Sequence, residues 1–291
     1  MASQGDEVAQ SMGALRPKLH RYCARMTGSA ADGEDIVQDT MIKALDALPA
    51  IGVVANLEGW LFRIAHNTAL DFLRRRARTP EVQDESALDF AVAPDAAWEG
   101  DEVVATSLRT FLRLPPLQRS AVILKDVLGH SLEEIVSITG ISPPAAKSAL
   151  QRGRVRLREL AREPEDTPLP SLSEATRARL DAFVDGFTAG DFATVRAMLA
   201  DDVRLDLVAR LQRRGRREVG EYLARYAATT QWAYASGVVD GLPAMLVYDR
   251  EVSLETPAYF VALAFDNDHV VAIHDFLFAR YAMEGIDLRS R

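Results

Sequence analysis

The 291-residue sequence predicts a multidomain chain, all-α in its first part and α+β in its last. Three observations carry this reading. Apolar residues recur at three- and four-residue steps as far as Leu160, the period of helices packed on one side. From Val203 onward they alternate at every second position, the period of half-buried strands. Two acidic, proline-bearing stretches, 80–103 and 163–172, read as linkers and leave units at 7–79, 104–162 and 173–291.

Composition narrows the class. One cysteine, Cys23, excludes an internal disulfide and a cysteine-rich zinc site, and suggests a reducing cytoplasm. No apolar run approaches a membrane span, and the polar, acidic start MASQGDEVAQ is unlike a signal peptide. No metal or cofactor is expected. The net charge of −8 argues weakly against nucleic-acid binding, but the local balance is what matters. Arginines gather at 74–78 and 152–162, and acids at 81–102.

The first helix is expected over 7–27, with Val8, Met12, Leu15, Leu19 and Tyr22 on one side and a break or kink at Pro17. Ser29 with Asp32 offers a capping box for a second helix, which Pro49 should end. Val37, Met41, Ala44 and Leu48 are its apolar stripe; Asp35, Gln38 and Asp39 lie on an acidic-leaning polar face that also suits plain solvent exposure. In WLFRIAHNTALDFLRRRAR, Leu61, Ile64, Ala65, Thr68 and Phe72 face inward. Arg63, Asn67, Asp71 and Arg74 follow one another along the opposite face, into the cluster that includes Arg75. Trp60 and Phe62 could stack on unpaired bases, although core positions suit them better.

Residues 114–160 are the most strongly punctuated. Ser131 and Glu134 form a capping box, Gly140 is placed to end that helix, and Ser142 with Pro143 opens the next. Ala146, Leu150, Gly153, Leu157 and Leu160 should point inward, leaving Lys147, Ser148, Gln151, Arg152, Arg154 and Arg158 outside. Either helix alone reads as part of a hairpin with a solvated basic face. Together, the caps and the tight turn read as a DNA-binding helix-turn-helix.

Three stretches in register, EDIVQDTMIKAL, NLEGWLFRIAHNTALDFLRRR and 114–160, resemble regions 2 and 4 of sigma-70 factors of the extracytoplasmic-function group. The resemblance covers roughly residues 10–162. It implies core RNA polymerase and promoter DNA as partners, with Asp35, Gln38 and Asp39 on a polymerase-docking helix. It further implies that Arg63, Asn67, Asp71, Arg74 and Arg75 engage the −10 element, and that Lys147, Ser148, Gln151 and Arg152 approach the −35 element. Two positions depart from the pattern. Gly33 stands where alanine is usual, at a cost to the helix start of up to roughly 1 kcal/mol, and Ala149 replaces a frequent arginine.

Beyond the second linker, two amphipathic helices, a strand around Val203–Leu207, a third helix at 219–226 and a run of long strands are expected. FVDGFTAGDFATVRAMLADDVRLD resembles the opening of the SnoaL-like, cone-shaped family, which implies an α+β fold with a pocket. Asp206, Tyr222, Tyr248, His274 and Asp275 are its candidate polar groups. His274 and Asp275 are adjacent in a strand and cannot form one dyad. Both alternating sets of the last strand, 270–278, are largely apolar and would need cover on two faces. The expected protein is a non-enzymatic sigma factor whose C-terminal domain regulates it through intramolecular contact with the sigma regions, with a small ligand as a further partner. The alternative is an enzyme or ligand sensor fused to a helix-turn-helix regulator.

Overall fold

The structure is a computed structural model that describes residues 4–52, 54–77, 103, 106–163 and 172–290. The two stretches read as linkers lie almost wholly outside these residues, as does Arg78. The chain divides into two compact units, Met1–Asp166 and Thr167–Arg291, and each is described by itself. No helix among the described residues is long and apolar enough to cross a membrane.

The first unit is all-α. Its helices are α1 (Gln4–Thr27), α2 (Ala30–Ile51), α3 (Leu57–Ala77), α4 (Leu108–Leu112), α5 (Pro116–Val122), α6 (Leu132–Thr139) and α7 (Pro143–Arg162). Between α5 and α6, Ile123–Val127 forms a π-helical turn. Ser29, Ser131 and Ser142 cap their helices through hydrogen bonds to the backbone N–H three residues on, and Ser131 with Glu134 completes a capping box. Gly140 ends α6 in the left-handed conformation, where a side chain would be strained. Pro17 sits inside an α1 that is not broken there, and α2 runs past Pro49, which was expected to end it, to its cap at Gly52.

One apolar cluster runs through the whole unit, from Met12 and Leu19 through Phe62, Phe111 and Ile123 to Leu157 and Leu160. Arg119 helps to fasten it. Buried on α5, it donates to the carbonyl oxygens of Leu112, Leu114 and Met26, tying the end of α1 to the α4–α5 corner.

The second unit is α+β, with α8 (Glu174–Ala189), α9 (Phe192–Ala197) and α10 (Arg216–Leu223) against a sheet. Its strands are β1 (Leu199–Leu207), β2 (Leu211–Arg214), β3 (Trp232–Val239), β4 (Leu242–Asp249), β5 (Tyr259–Asp266), β6 (His269–Asp275) and β7 (Leu288–Ser290), in the order β2-β1-β6-β5-β4-β3-β7. All neighbours are antiparallel except β1 and β6, so the sheet is not a simple meander. The 266–268 turn joins β5 to β6 as the sequence suggests, with Asn267 at a φ of 50°. Leu180, Phe183, Phe187, Val219 and Leu223 of the helices meet Leu205, Leu207, Val247, Val261 and Ile273 of the sheet in one core. The expected last strand was drawn too long. β6 stops at Asp275, Phe276 stacks on Phe260 beyond it, and Phe278 is half exposed with the Arg210 guanidinium over its ring.

Candidate nucleic-acid and polymerase interfaces

Helices α6 and α7 form the helix-turn-helix. Ala146, Gly153, Leu157 and Leu160 face the core, and Gly153 has a reason to be glycine: a Cβ there would stand 2.7 Å from Val122 Cγ2 and 2.9 Å from the Gln118 carbonyl. Lys147 and Arg152 are exposed, with Ser148 and Gln151 half-buried beside them. Two positions differ from the expected faces. Arg154 turns away from the open side and grips the Asp126 carboxylate with both Nε (2.9 Å) and Nη2 (2.5 Å). Ala149 is buried, so an arginine at that position would have to leave the core to reach DNA.

On α3, Arg63, Asn67, Asp71, Arg74 and Arg75 are all exposed on one helix face, whereas Phe62 is fully buried and Trp60 packs partly against the core. Asp71 accepts from Arg74 at 3.1 Å, and its carbonyl accepts from Arg75 at 3.3 Å. Arg63 is engaged elsewhere. Its Nε donates to the Ser137 carbonyl and its Nη2 to the Ser137 hydroxyl, each at 3.0 Å. A cleft of about 320 Å³ lies there, lined by Arg63, Asn67 and the stretch 136–141, the end of α6 and the start of the turn.

On α2, Asp35 and Asp39 are exposed, and Gln38 accepts from Arg16 at 2.9 Å. The same helix exposes Ile42 and Leu45, each about half accessible. The sequence reading missed both. Their signal was there: they fall outside the stripe of Val37, Met41, Ala44 and Leu48, on the turn that follows Asp39.

Comparison with known proteins agrees with this layout. The model of sigma-70 region 2 matches residues 12–79, and that of sigma-70 region 4 matches residues 108–157. The RNA polymerase sigma factor CarQ of Myxococcus xanthus is 34% identical over 152 residues, covering 51% of this chain and 86% of that one. The ECF RNA polymerase sigma factor SigM of Mycobacterium tuberculosis is 31% identical over 143 residues, covering 49% of this chain and 71% of that one. The chain belongs to the extracytoplasmic-function (ECF) group of sigma-70 factors. The ECF sigma factor SigG of Mycobacterium tuberculosis is 27% identical over 309 residues, covering 92% of this sigma factor and 81% of SigG. The C-terminal unit is similar to an NTF2-like protein of Cytophaga hutchinsonii, at 16% identity and a TM-score of 0.26, over 34% of this chain and 95% of that one. A sigma factor is a non-enzymatic initiation factor that binds core RNA polymerase and promoter DNA.

Two histidines that the sequence reading passed over lie between α3 and the region-4 helices of this sigma factor. His66 is buried, and its Nδ1 lies 2.8 Å from the Tyr22 hydroxyl and 3.3 Å from Ser120 Oγ, while those two oxygens are 2.9 Å apart. Burial pulls its pKa down to about 4, helped by the Arg74 charge. His130 is also buried, edge-on to Phe62, with the Glu58 and Glu134 carboxylates at 3.7 and 3.6 Å. Burial, seconded by Lys18, lowers its pKa against the pull of those acids.

The five polar residues expected to line a C-terminal pocket do not converge. Tyr222 and Asp275 meet on the helix-covered side of the sheet, where the Asp275 carboxylate accepts from Tyr222 at 2.8 Å, Tyr226 at 2.6 Å and the Leu277 N–H at 3.0 Å. Asp275 is fully buried, and desolvation raises its pKa despite these donors. Tyr226 and Tyr259, joined by a 3.3 Å hydroxyl contact, and the rings of Phe187 and Tyr234 pack around it. Asp206 and His274 are register partners across β1 and β6, one position away from the Leu207–Asp275 pair, and so lie on the opposite face. Tyr248 neighbours Val247, a core residue of the helix side, and so also points to the other face.

Proposed function

We propose that this ECF sigma factor docks on core RNA polymerase through Asp35, Gln38 and Asp39 together with Ile42 and Leu45. It reads the −10 element with the face of Arg63, Asn67, Asp71, Arg74 and Arg75, and the −35 element with Lys147, Ser148, Gln151 and Arg152. The C-terminal unit regulates these activities without chemistry of its own. The observation that carries the reading is the Arg63–Ser137 pair. In the free chain the −10 face is bonded to the end of α6, the first helix of the helix-turn-helix, so promoter reading requires the two to part. Polymerase, by binding α2 and holding the regions apart, supplies that separation as differential affinity for the open form.

Two features speak against catalysis in the C-terminal unit. Its buried carboxylate already accepts three hydrogen bonds, and the register partners Asp206 and His274 lie across the sheet from it. A small ligand there would act by shifting an equilibrium of the chain. The test is retention on core polymerase with run-off transcription. Asp39→Arg should lose retention with an unchanged circular-dichroism spectrum. Truncation after Asp166 should change transcript yield, whereas His274→Ala should not beyond any loss of stability. Full retention of Asp39→Arg would sink the docking assignment.

A further inference from the structure

The acidic C-terminal unit of this chain contains a region of opposite sign. Residues 204–225 hold seven arginines against three acids, a local net of +4 in a protein of net −8. The fold gathers five of these arginines at one edge of the sheet. β2 is the edge strand, and its register with β1 sets Arg214 directly opposite Arg204 and Arg213 opposite Leu205. Leu205 belongs to the helix-side core, so Arg213 projects on that face. There it lines a cleft of about 310 Å³ with Arg217 of α10 and Arg225 just beyond it; Tyr222 and the acids Glu218 and Glu221 are also in its wall. Arg204 and Arg214 occupy the other face. The edge is therefore basic on both sides.

Arginines outnumber acids at this edge, and most of them form no ion pair. Arg204, Arg213, Arg214 and Arg225 are exposed, and among the described residues none of them pairs with a carboxylate. Arg217 reaches Glu221 only at 4.0 Å. Other arginines of the same unit do find acids, as Arg179 does in Asp268 and Arg216 in Asp201. Like charges directly opposite in an antiparallel pair destabilise the ladder, so the Arg204–Arg214 pairing is unfavourable unless an anion lies between or along them. Charge on an edge strand also discourages edge-to-edge association. That role accounts for Arg213 and Arg214; it does not require Arg204, Arg217 or Arg225.

We propose that the β1–β2 edge and α10 form a phosphate-binding surface that grips the backbone of duplex DNA beside the −35 element. Unpaired guanidinium groups arrayed along one edge suit successive phosphates, and they carry no base-reading geometry. The choice of duplex rests on the reading of α7 given above. α7 ends at Arg162 and α8 begins at Glu174, so eleven residues join the recognition helix to this unit. Eleven residues reach at most about 40 Å when fully extended. When α7 lies in the groove, the basic edge is tethered within reach of the adjoining backbone.

The experiment measures binding of the full-length chain to a 40-base-pair duplex of arbitrary sequence, by fluorescence anisotropy between about 50 and 200 mM KCl, the range over which phosphate contacts are lost. Replacing Arg204, Arg213, Arg214 and Arg225 together by glutamine should weaken binding tenfold or more at the low-salt end. The slope of log K against log salt should flatten by about two to four, near 0.9 for each phosphate released. The matching lysine variant should keep most of the slope. Lys147→Ala and Arg152→Ala should instead alter sequence preference, so failure of the α7 reading is distinguishable from failure of this one. An unchanged slope in the glutamine variant overturns the proposal, and light scattering that then shows self-association assigns the arginines to edge protection. Loss confined to single-stranded RNA of equal length also overturns it. If the fourfold variant does not melt cooperatively, Arg213→Gln with Arg225→Gln gives the same decision, with an expected flattening of one to two.

Discussion

Gly33 of α2 crosses Ala24 of α1 so closely that a Cβ built on the glycine would stand 2.6 Å from the Ala24 nitrogen and Cα. The obstacle is backbone, which cannot swing aside as a side-chain tip can. Propensity alone favours alanine at this helix position by up to about 1 kcal/mol. Packing reverses the sign. Gly33→Ala is expected to destabilise the sigma regions by about 1–3 kcal/mol, the usual cost of overpacking. Urea denaturation followed by circular dichroism checks it, and a stabilised variant would refute the close crossing.

The histidines give the helical unit an acid-sensitive seam. His66 titrates near 4 when folded, below the ordinary histidine value of about 6.5. Its folded pKa is depressed, so below about 6.5 the unfolded chain takes up a proton that the folded one refuses. Stability is thus full above that value and is lost as pH falls toward about 4, by on the order of 3 kcal/mol from this group. His130 adds in the same direction, and its neighbours Glu58 and Glu134 oppose its shift. Thermal melts of the full chain between pH 7 and 4.5 should fall steeply, and His66→Gln should flatten that fall.

The Ser137 clamp on Arg63 predicts opposite effects for its two partners. Ser137→Ala removes the hydroxyl acceptor while leaving the α3 face whole, so the free chain should bind −10-bearing single strands more tightly, by up to several-fold. Arg63→Ala should weaken the same binding. Fluorescence anisotropy with labelled oligonucleotides measures both, and equal weakening by the two would show that the pair does not mask the face.

At the −35 element, Arg152→Ala and Lys147→Ala separate base reading from phosphate contact. A base-reading contact is worth about 1–3 kcal/mol and is lost on the matching sequence alone. A phosphate contact weakens every duplex alike and reduces the salt slope. Competition titrations with holoenzyme on matched and scrambled duplexes distinguish them.

In the C-terminal unit, Tyr226→Phe deprives the buried Asp275 carboxylate of one of its two hydroxyl donors. Leaving a buried charged group short of a partner costs about 1–3 kcal/mol. The melting temperature should fall while transcription by the folded protein is unchanged. A drop in specific transcription at full folding would instead point to a working role for the cluster.

Much of this was legible in the linear sequence. Ser29, Ser131 and Ser142 announce their helices, and Gly140 the turn between α6 and α7, because caps and turns are local and use residues whose chemistry is specific to them. The stripes of α3 and α7 likewise follow from helical period alone, and with them the faces that carry the candidate DNA contacts. What only the tertiary structure decided concerns partners distant in sequence. Gly33 and Ala149 read as departures until the crossing with Ala24 and the burial of position 149 are seen. Arg154 looks like its neighbours on α7 until Asp126, twenty-eight residues away, takes its guanidinium. Asp275 and His274 are adjacent in the chain yet separated by the sheet, and the tyrosines that hold Asp275 come from a helical segment about fifty residues earlier. The physical reason is the same in each case. Periodicity states which side of an element is buried, whereas a contact between elements depends on where two surfaces meet, and no local pattern encodes that.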